Sequence, residues 1–297
     1  MGVTEISSAP RDRWLHTQEE LMKFSPSRKH MTYEQELTLR QKIGRFINGI
    51  ADRLNANVER QFQFRTMSIC SAIVHANRFF YVHSFRDIDL RDVCLASVFL
   101  TAKSDDCPRS PRSILLAWWN MRFGVSKIPV KLYDDAYDRM CFFETMLLQT
   151  IGFDLVLEMP HPYVLQQMAA LGAVGELREA AYFFASDVLA YTDWSIRYTA
   201  AEIAAIVVYA VCIWANHPLP DMSVKQPWFQ VLAPQLTESA LQSNEQLINT
   251  LYEKLATTDR PRNVKDRIKA ALKKKTAAAA VEANGTPQNR KRPHDGS

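Results

Sequence analysis

The chain has 297 residues, 47% of them hydrophobic, which is enough apolar material for one large domain or two ordinary ones and excludes a disordered chain. Nine glycines are few for that length, which disfavours Gly-rich phosphate loops and turn-dense β folds. The net charge of +4 is uneven: residues 260–297 hold eleven Lys/Arg and three Asp/Glu, a balance of +8, so residues 1–259 total −4.

Helical periodicity runs through most of the chain, and no stretch alternates cleanly enough for a strand, so an all-α fold is predicted. Asp12 to Lys23 reads as a short amphipathic helix stopped by "SPS". Thr32 and Gln35 form a capping box that opens a helix running to about Asn55. Phe62 to His83 is the next, followed by Asp87 to Lys103, which is apolar nearly all round beyond Leu90 and therefore central. Ser113 to Arg122 and Val130 to Thr150 complete a group of five. "GFDLVLEMPHP" then interrupts with a glycine and two prolines, a junction. Five further helical stretches follow: Tyr163 to Leu171, Glu176 to Asp193, Ala200 to Ala215, a short piece around Trp228, and Glu238 to Thr257.

The two most apolar helices align without gaps at an offset of 110, with Asp92 opposite Glu202, Val98 opposite Val208 and Phe99 opposite Tyr209. Each half thus has a buried third helix, a repeat of five helices around a centre. Under this alignment Lys103, the charge closing "VCLASVFLTAK", stands opposite Ile213. A lysine there is either the polar end of a buried helix or a group that something outside the chain requires. An isoleucine at the matching place weakens the first reading.

The chemistries that sequence motifs would announce are missing. No P-loop and no H-E-x-x-H occurs, and "GAVGE" lacks the lysine a phosphate loop needs. The five cysteines, Cys70, Cys94, Cys107, Cys141 and Cys212, make no C-x-x-C pair, which points to packed free thiols in a reducing compartment, with no metal or other cofactor. His75 and His83, two turns apart, read as partly exposed helix histidines with no metal ligands to join them. Asp134, Asp135 and Asp138 read as a solvated face beside Lys131 and Arg139. Arg112, Leu115 and Asn120 match a degradation-signal pattern, R-x-x-L-x-x-x-x-N, but inside a predicted helix, where an extended-chain signal cannot be read. The first residues lack the apolar region of a signal peptide, and the longest apolar run, Ile203 to Ala215, is too short for a bilayer of about 30 Å. A soluble intracellular protein without catalytic residues, and without a membrane partner, is expected.

Several segments resemble one family. "RWLHTQEELMKFSPSRKH" and the capped helix after it are similar to the start of the transcriptional cyclins T and K. "ANRFFYVHSFRDI" and "VCLASVFLTAKSDDCP" resemble their second and third helices, and "FFETMLLQTIGFDLVLEMPHPYVL" the passage from the first cyclin box to the second. "VLAYTDWSIRYTAAEIAAIVVYAVCIWA" resembles the centre of the second box. The resemblance spans about residues 12–258, and "QTIGFDLVLEMPHPY" tilts it slightly toward cyclin K. It implies two stacked five-helix cyclin boxes, residues 29–156 and 157–259, with an N-terminal segment (1–28) carrying a short helix and a basic tail (260–297), helical at first and then disordered.

It also implies a regulatory subunit that binds and activates a cyclin-dependent kinase acting on the RNA polymerase II C-terminal repeats, and so promotes elongation. In that family a lysine ending the third helix and a glutamate on the fifth grip the segment leading into the kinase C-helix; here they are Lys103 and Glu144. Phe99, Leu148 and Phe153 match the apolar contacts around the pair. Ser104, Asp105 and Asp106 stand where the family has a hydrophobe and two glutamates, so Asp106 is the acid aimed at the partner. The spacing agrees, with Phe99, Lys103 and Asp106 at i, i+4, i+7 and Glu144 and Leu148 at i, i+4, each a single helical stripe. The M-R-A-I-L docking motif of cell-cycle cyclins is replaced by "LRQKI", Leu39 to Ile43, which does not support substrate recruitment there.

In the tail, Lys273, Lys274 and Lys275 with Arg290, Lys291 and Arg292 read as a nuclear-localisation signal, with at most weak nucleic-acid binding. The rival reading, a TFIIB-like general transcription factor of the same fold acting on DNA or the transcription machinery without a kinase, lacks the zinc ribbon and the basic body that DNA binding needs.

Overall fold

The computed structural model describes residues 13–56, 58–125, 127–222, 226–258 and 267–269. The described residues are helical, with no strand among them. A short helix α1 (Gln18–Phe24) precedes α2 (Tyr33–Asn55), α3 (Thr66–Val82), α4 (Leu90–Ser104), α5 (Pro111–Phe123) and α6 (Val130–Ile151). The second set is α7 (Pro160–Ala170), α8 (Gly175–Tyr191), α9 (Ala200–Ala215), α10 (Trp228–Leu232) and α11 (Glu238–Thr258). The fold is all-α, two five-helix sets around a buried centre, with α4 packed against α2, α3, α5 and α6, and α9 against α7, α8, α10 and α11.

Local chemistry sets most of the helix starts. Capping boxes Thr17–Glu20, Thr32–Gln35 and Thr199–Glu202 open α1, α2 and α9, each satisfying first-turn amides that no intrahelical carbonyl reaches. Asp89 caps α4 and Ser110 caps α5, the latter with proline in the first turn. Several starts differ from the sequence expectation, and three of them are informative. The first helix begins at Gln18, and the anticipated start at Asp12 lies outside the described residues. α3 begins at Thr66, four residues later than expected, because the Asn55 side chain holds the backbone of Phe64 out of a helix: its Oδ1 accepts from the Phe64 amide at 2.5 Å and its Nδ2 donates to the Phe64 carbonyl at 3.0 Å. α7 begins at Pro160, so the prolines read as an interruption instead start a helix, where a missing N–H is harmless.

Ten successive residues of α4, Val93 to Ala102, are buried. The two hydroxyls of that buried stretch are satisfied within the core: Ser97 Oγ donates to the Ala72 carbonyl at 2.6 Å and Thr101 Oγ1 to the Ser97 carbonyl at 2.9 Å. The repeat extends past the helices. Asp106 and Asn216, also 110 apart, both adopt left-handed backbone with φ of +48° after their central helix. Each is followed by an amide bonded five residues back, Cys107 to Ala102 at 3.2 Å and His217 to Cys212 at 2.9 Å, the closing bond of a Schellman cap.

The boxes meet through α2 and α3 of the first and α8 of the second. Cys70 and Val74 of α3 belong to the second core, and Ala190 of α8 to the first. At the crossing of α2 and α8 a Cβ on Gly44 would lie 2.3 Å from the Ala190 carbonyl oxygen, so only glycine permits the approach. An N-terminal strap crosses the same junction. Arg13 Nη2 donates to the Ile151 carbonyl at 2.7 Å, buried Trp14 lies 5.0 Å from the guanidiniums of both Arg13 and Arg78, His16 stacks on Tyr81 at 3.7 Å, and its amide donates to Ile196 at 2.9 Å.

Glu36 and Arg40 of α2 are buried together. The carboxylate takes Arg40 at 2.7 Å, Arg28, and the Ser25 hydroxyl at 2.7 Å, while Arg40 also donates to the Asn77 carbonyl at 3.0 Å. A buried charge set of this kind is tolerable because every partner is present. It also disposes of the "LRQKI" position as an open docking patch, since Arg40 and Ile43 are buried and Leu39 is half-buried. No described helix is long and apolar enough to cross a membrane. The lysine and arginine clusters at 273–275 and 290–292 lie outside the described residues.

Candidate functional site

The last turn of α4 and the second half of α6 run side by side at one face of the first box. Lys103 is half exposed, and its Nζ lies 2.5 Å from Glu144 Oε1 on α6, whose side chain is only 11% exposed. The same ammonium sits 4.1 Å from the Phe99 ring centroid, one turn back along α4. The ammonium is thus anchored by a sheltered carboxylate and an aromatic face while its outer side stays open to solvent. Glu144 Oε1 makes this ion pair but no well-directed hydrogen bond, which leaves acceptor capacity at the edge of the site.

Both helices end in left-handed caps beside this pair. α6 stops at Gly152, φ +63°, and Phe153 follows at φ +58° with its amide bonded to the Leu148 carbonyl at 2.9 Å. A phenylalanine in that region carries roughly 1–2 kcal/mol of backbone strain, yet Phe153 is 69% exposed and gains little burial in return. Leu148, one turn before it, is half-buried against the first core.

Of the six residues singled out in the sequence, Phe99, Lys103 and Glu144 are brought into contact, and Leu148 and Phe153 continue the face along α6 and its cap. Asp106 is the correction. α4 ends at Ser104, so Asp106 lies beyond the helix and does not extend the i, i+4, i+7 stripe; it is an exposed cap residue in the position where the second half has Asn216. The comparison of Lys103 with Ile213 gains content, because Ile213 is 49% exposed. The position faces solvent in both halves, so burial dictates neither side chain.

Other readings are adjusted by the fold. Arg139 does not join the solvated acids of α6; it grips Asp92 through two bonds of 2.8 and 2.6 Å, fastening α6 to the start of α4. Sequence reasoning missed this brace, although an acid at the start of a central helix is a visible signal. His75 is fully buried, not partly exposed, and burial pushes its imidazole down to about 4. His83 is the partly exposed one, with Nε2 2.9 Å from Thr150 Oγ1. Leu115 of the degradation-signal pattern is wholly buried in α5. All five cysteines are free, and among the described residues no group of His, Cys, Asp and Glu is placed to hold a metal ion.

A double set of five helices around buried centres, with a lysine–glutamate pair at the exposed end of the first centre, defines a cyclin-fold protein. A chain of the yeast RNA Pol II CTD kinase CTDK-1 complex has the same fold, with a TM-score of 0.67 over 95% of this chain and 86% of that one at 14% identity. The profile of the Cyclin-T2-like, C-terminal domain family matches residues 159–250. Cyclin-T1.1 of Caenorhabditis elegans is 33% identical over 241 residues, 78% of this chain and 52% of that protein. Human Cyclin-T1 is 27% identical over 251 residues, 80% of this chain and 33% of its own length. The chain therefore spans about half the length of the first relative and a third of the second. It belongs to the cyclin T family, which corrects the slight tilt toward cyclin K.

Proposed function

We propose that this chain is the non-catalytic regulatory subunit of a cyclin-dependent kinase that phosphorylates the RNA polymerase II C-terminal repeats, and that it promotes transcription elongation in the nucleus. The observation that carries this reading is the Lys103–Glu144 pair, half open to solvent at the end of α4. A kinase segment arriving there supplies backbone carbonyls to the Lys103 ammonium and amides to the Glu144 carboxylate. Phe99, Leu148 and the displayed Phe153 ring provide apolar contact around these bonds. The kinase C-helix must place its glutamate on the ATP-binding lysine to be active, and a surface that binds that arrangement better shifts the kinase toward it. The tail clusters Lys273–Lys275 and Arg290–Arg292 are assigned to nuclear import.

The test is Lys103→Glu, which sets two carboxylates against each other at the edge of the site. Reversing one partner of a hydrogen-bonded charge pair at an interface costs about 2–5 kcal/mol, a loss of roughly thirtyfold or more in affinity. Kinase co-purification and stimulation of C-terminal-repeat phosphorylation should be lost, while helicity and melting temperature stay near those of the parent. Undiminished kinase binding by a folded Lys103→Glu protein would refute the assignment.

A further inference from the structure

A second surface on the first box has no part in the Lys103–Glu144 site. Two grooves cross α5 and share Leu116. One, of about 440 Å³, lies between α5 and the end of α2 and is lined by Arg53, Leu54, Ala56, Ser113, Ala117 and Asn120 as well. The other, of about 320 Å³, lies between α5 and the start of α6 and is lined by Arg112, Lys127, Ile128, Val130 and Tyr133. Val130 is 82% exposed, and Leu116 is half-buried.

The charges of this surface run against those of the body. Residues 1–259 total −4, yet among the described residues no carboxylate lines either groove, and Arg53, Arg112 and Lys127 are exposed cations with no ion pair to a described residue. Arg112 leans over the Tyr133 ring at 5.7 Å, and Arg53 donates to Asn120 Oδ1 at 3.3 Å and to the Gly49 carbonyl at 3.0 Å. None of these contacts neutralises a charge. Asn120, which holds Arg53, is eight residues along α5 from Arg112, about 12 Å at 1.5 Å per residue. The cations are therefore strung along an apolar floor rather than gathered around one point, as a single phosphate would require.

We propose that the α5 surface docks an extended acidic segment of a partner protein, with an apolar side chain over Leu116 and Asp or Glu carboxylates toward Arg112 and Lys127 at one end and Arg53 at the other. At about 3.3 Å per residue an extended chain covers that span in roughly four residues, so the segment carries its acids four or five positions apart with a leucine, isoleucine or phenylalanine between them.

A display library of random dodecapeptides, panned on the full chain and counter-selected on the Arg53→Glu/Arg112→Glu/Lys127→Glu protein, tests this. Enriched peptides should carry the acid–apolar–acid pattern. In anisotropy titrations they should bind at least tenfold more weakly to Arg112→Glu and to Leu116→Ser, proteins whose melting temperatures match the parent, and equally well to Lys103→Glu. No enrichment over the charge-reversed protein, or enriched peptides that lack acids, would overturn the proposal. So would a phosphoserine substitution for one acid that tightens binding more than tenfold, since it would reveal a phosphate site.

Discussion

Replacing Gly44 by alanine separates two effects of opposite sign. In a helix interior the substitution alone stabilises by about 1 kcal/mol, because glycine loses more backbone freedom on folding. At this crossing the added methyl would stand 2.3 Å from the Ala190 carbonyl oxygen, roughly 1 Å inside ordinary contact, and the obstacle is backbone that cannot rotate away. Moving α2 off α8 by that amount opens the junction where Cys70, Val74 and Ala190 interlock. Overpacking of this kind costs about 1–3 kcal/mol. The upper part of that range applies here, for a net loss of about 2 kcal/mol and a fall in melting temperature of about 4 °C or more. Thermal denaturation followed by circular dichroism is sufficient, with urea titration to give the free energy. A Gly44→Ala protein that melts at or above the parent temperature would show that α2 and α8 do not approach this closely.

Further outcomes concern the site and the buried histidines. Phe153→Gly should raise stability by about 1 kcal/mol, since its left-handed backbone suits glycine and little burial is lost, and it should weaken kinase binding. A fall in stability would mean the ring is held by contacts within the chain. Burial pushes both His75 and His161 down to about 4 from 6.5. Both imidazoles are then neutral in the folded chain, and below about pH 6.5 the unfolded chain takes up protons that the folded one refuses. Stability is complete above that pH and falls between about 6.5 and 4, by roughly 3 kcal/mol for each histidine. Urea titrations at pH 7.5, 6 and 5 should show this slope, and His75→Gln should flatten it by about half; an unchanged slope would mean that His75 is not the residue responsible.

Much of the fold was legible because the deciding interactions are local. The Thr32–Gln35 box, the apolar run of α9 and the 110-residue offset are all readable along a single stretch of chain. What escaped depends on contacts across it. Asn55 delays α3 by clasping Phe64, and the burial of His75 depends on neighbours from other elements. At the site, the pairing of Lys103 with Glu144 came from family resemblance and not from spacing, since helical periodicity relates residues on one element only. Periodicity also misled at Asp106, because "SDDCP" contains no glycine to signal that the chain turns left-handed there. The Glu36–Arg40 set carries no local sign of burial, which comes from Ser25, Arg28 and the α3 backbone at Asn77 and Phe80.

The interlocking of the two cores has a mechanical consequence. Although the chain reads as a duplicated unit, Cys70 and Val74 on one side and Ala190 on the other leave no plane along which the copies could be parted without tearing both interiors. The strap from Arg13 to His16 closes the remaining seam. The protein therefore behaves as a fixed-length spacer: the kinase proposed to sit against α4 and α6 is held at a set separation and a set angle from the second box.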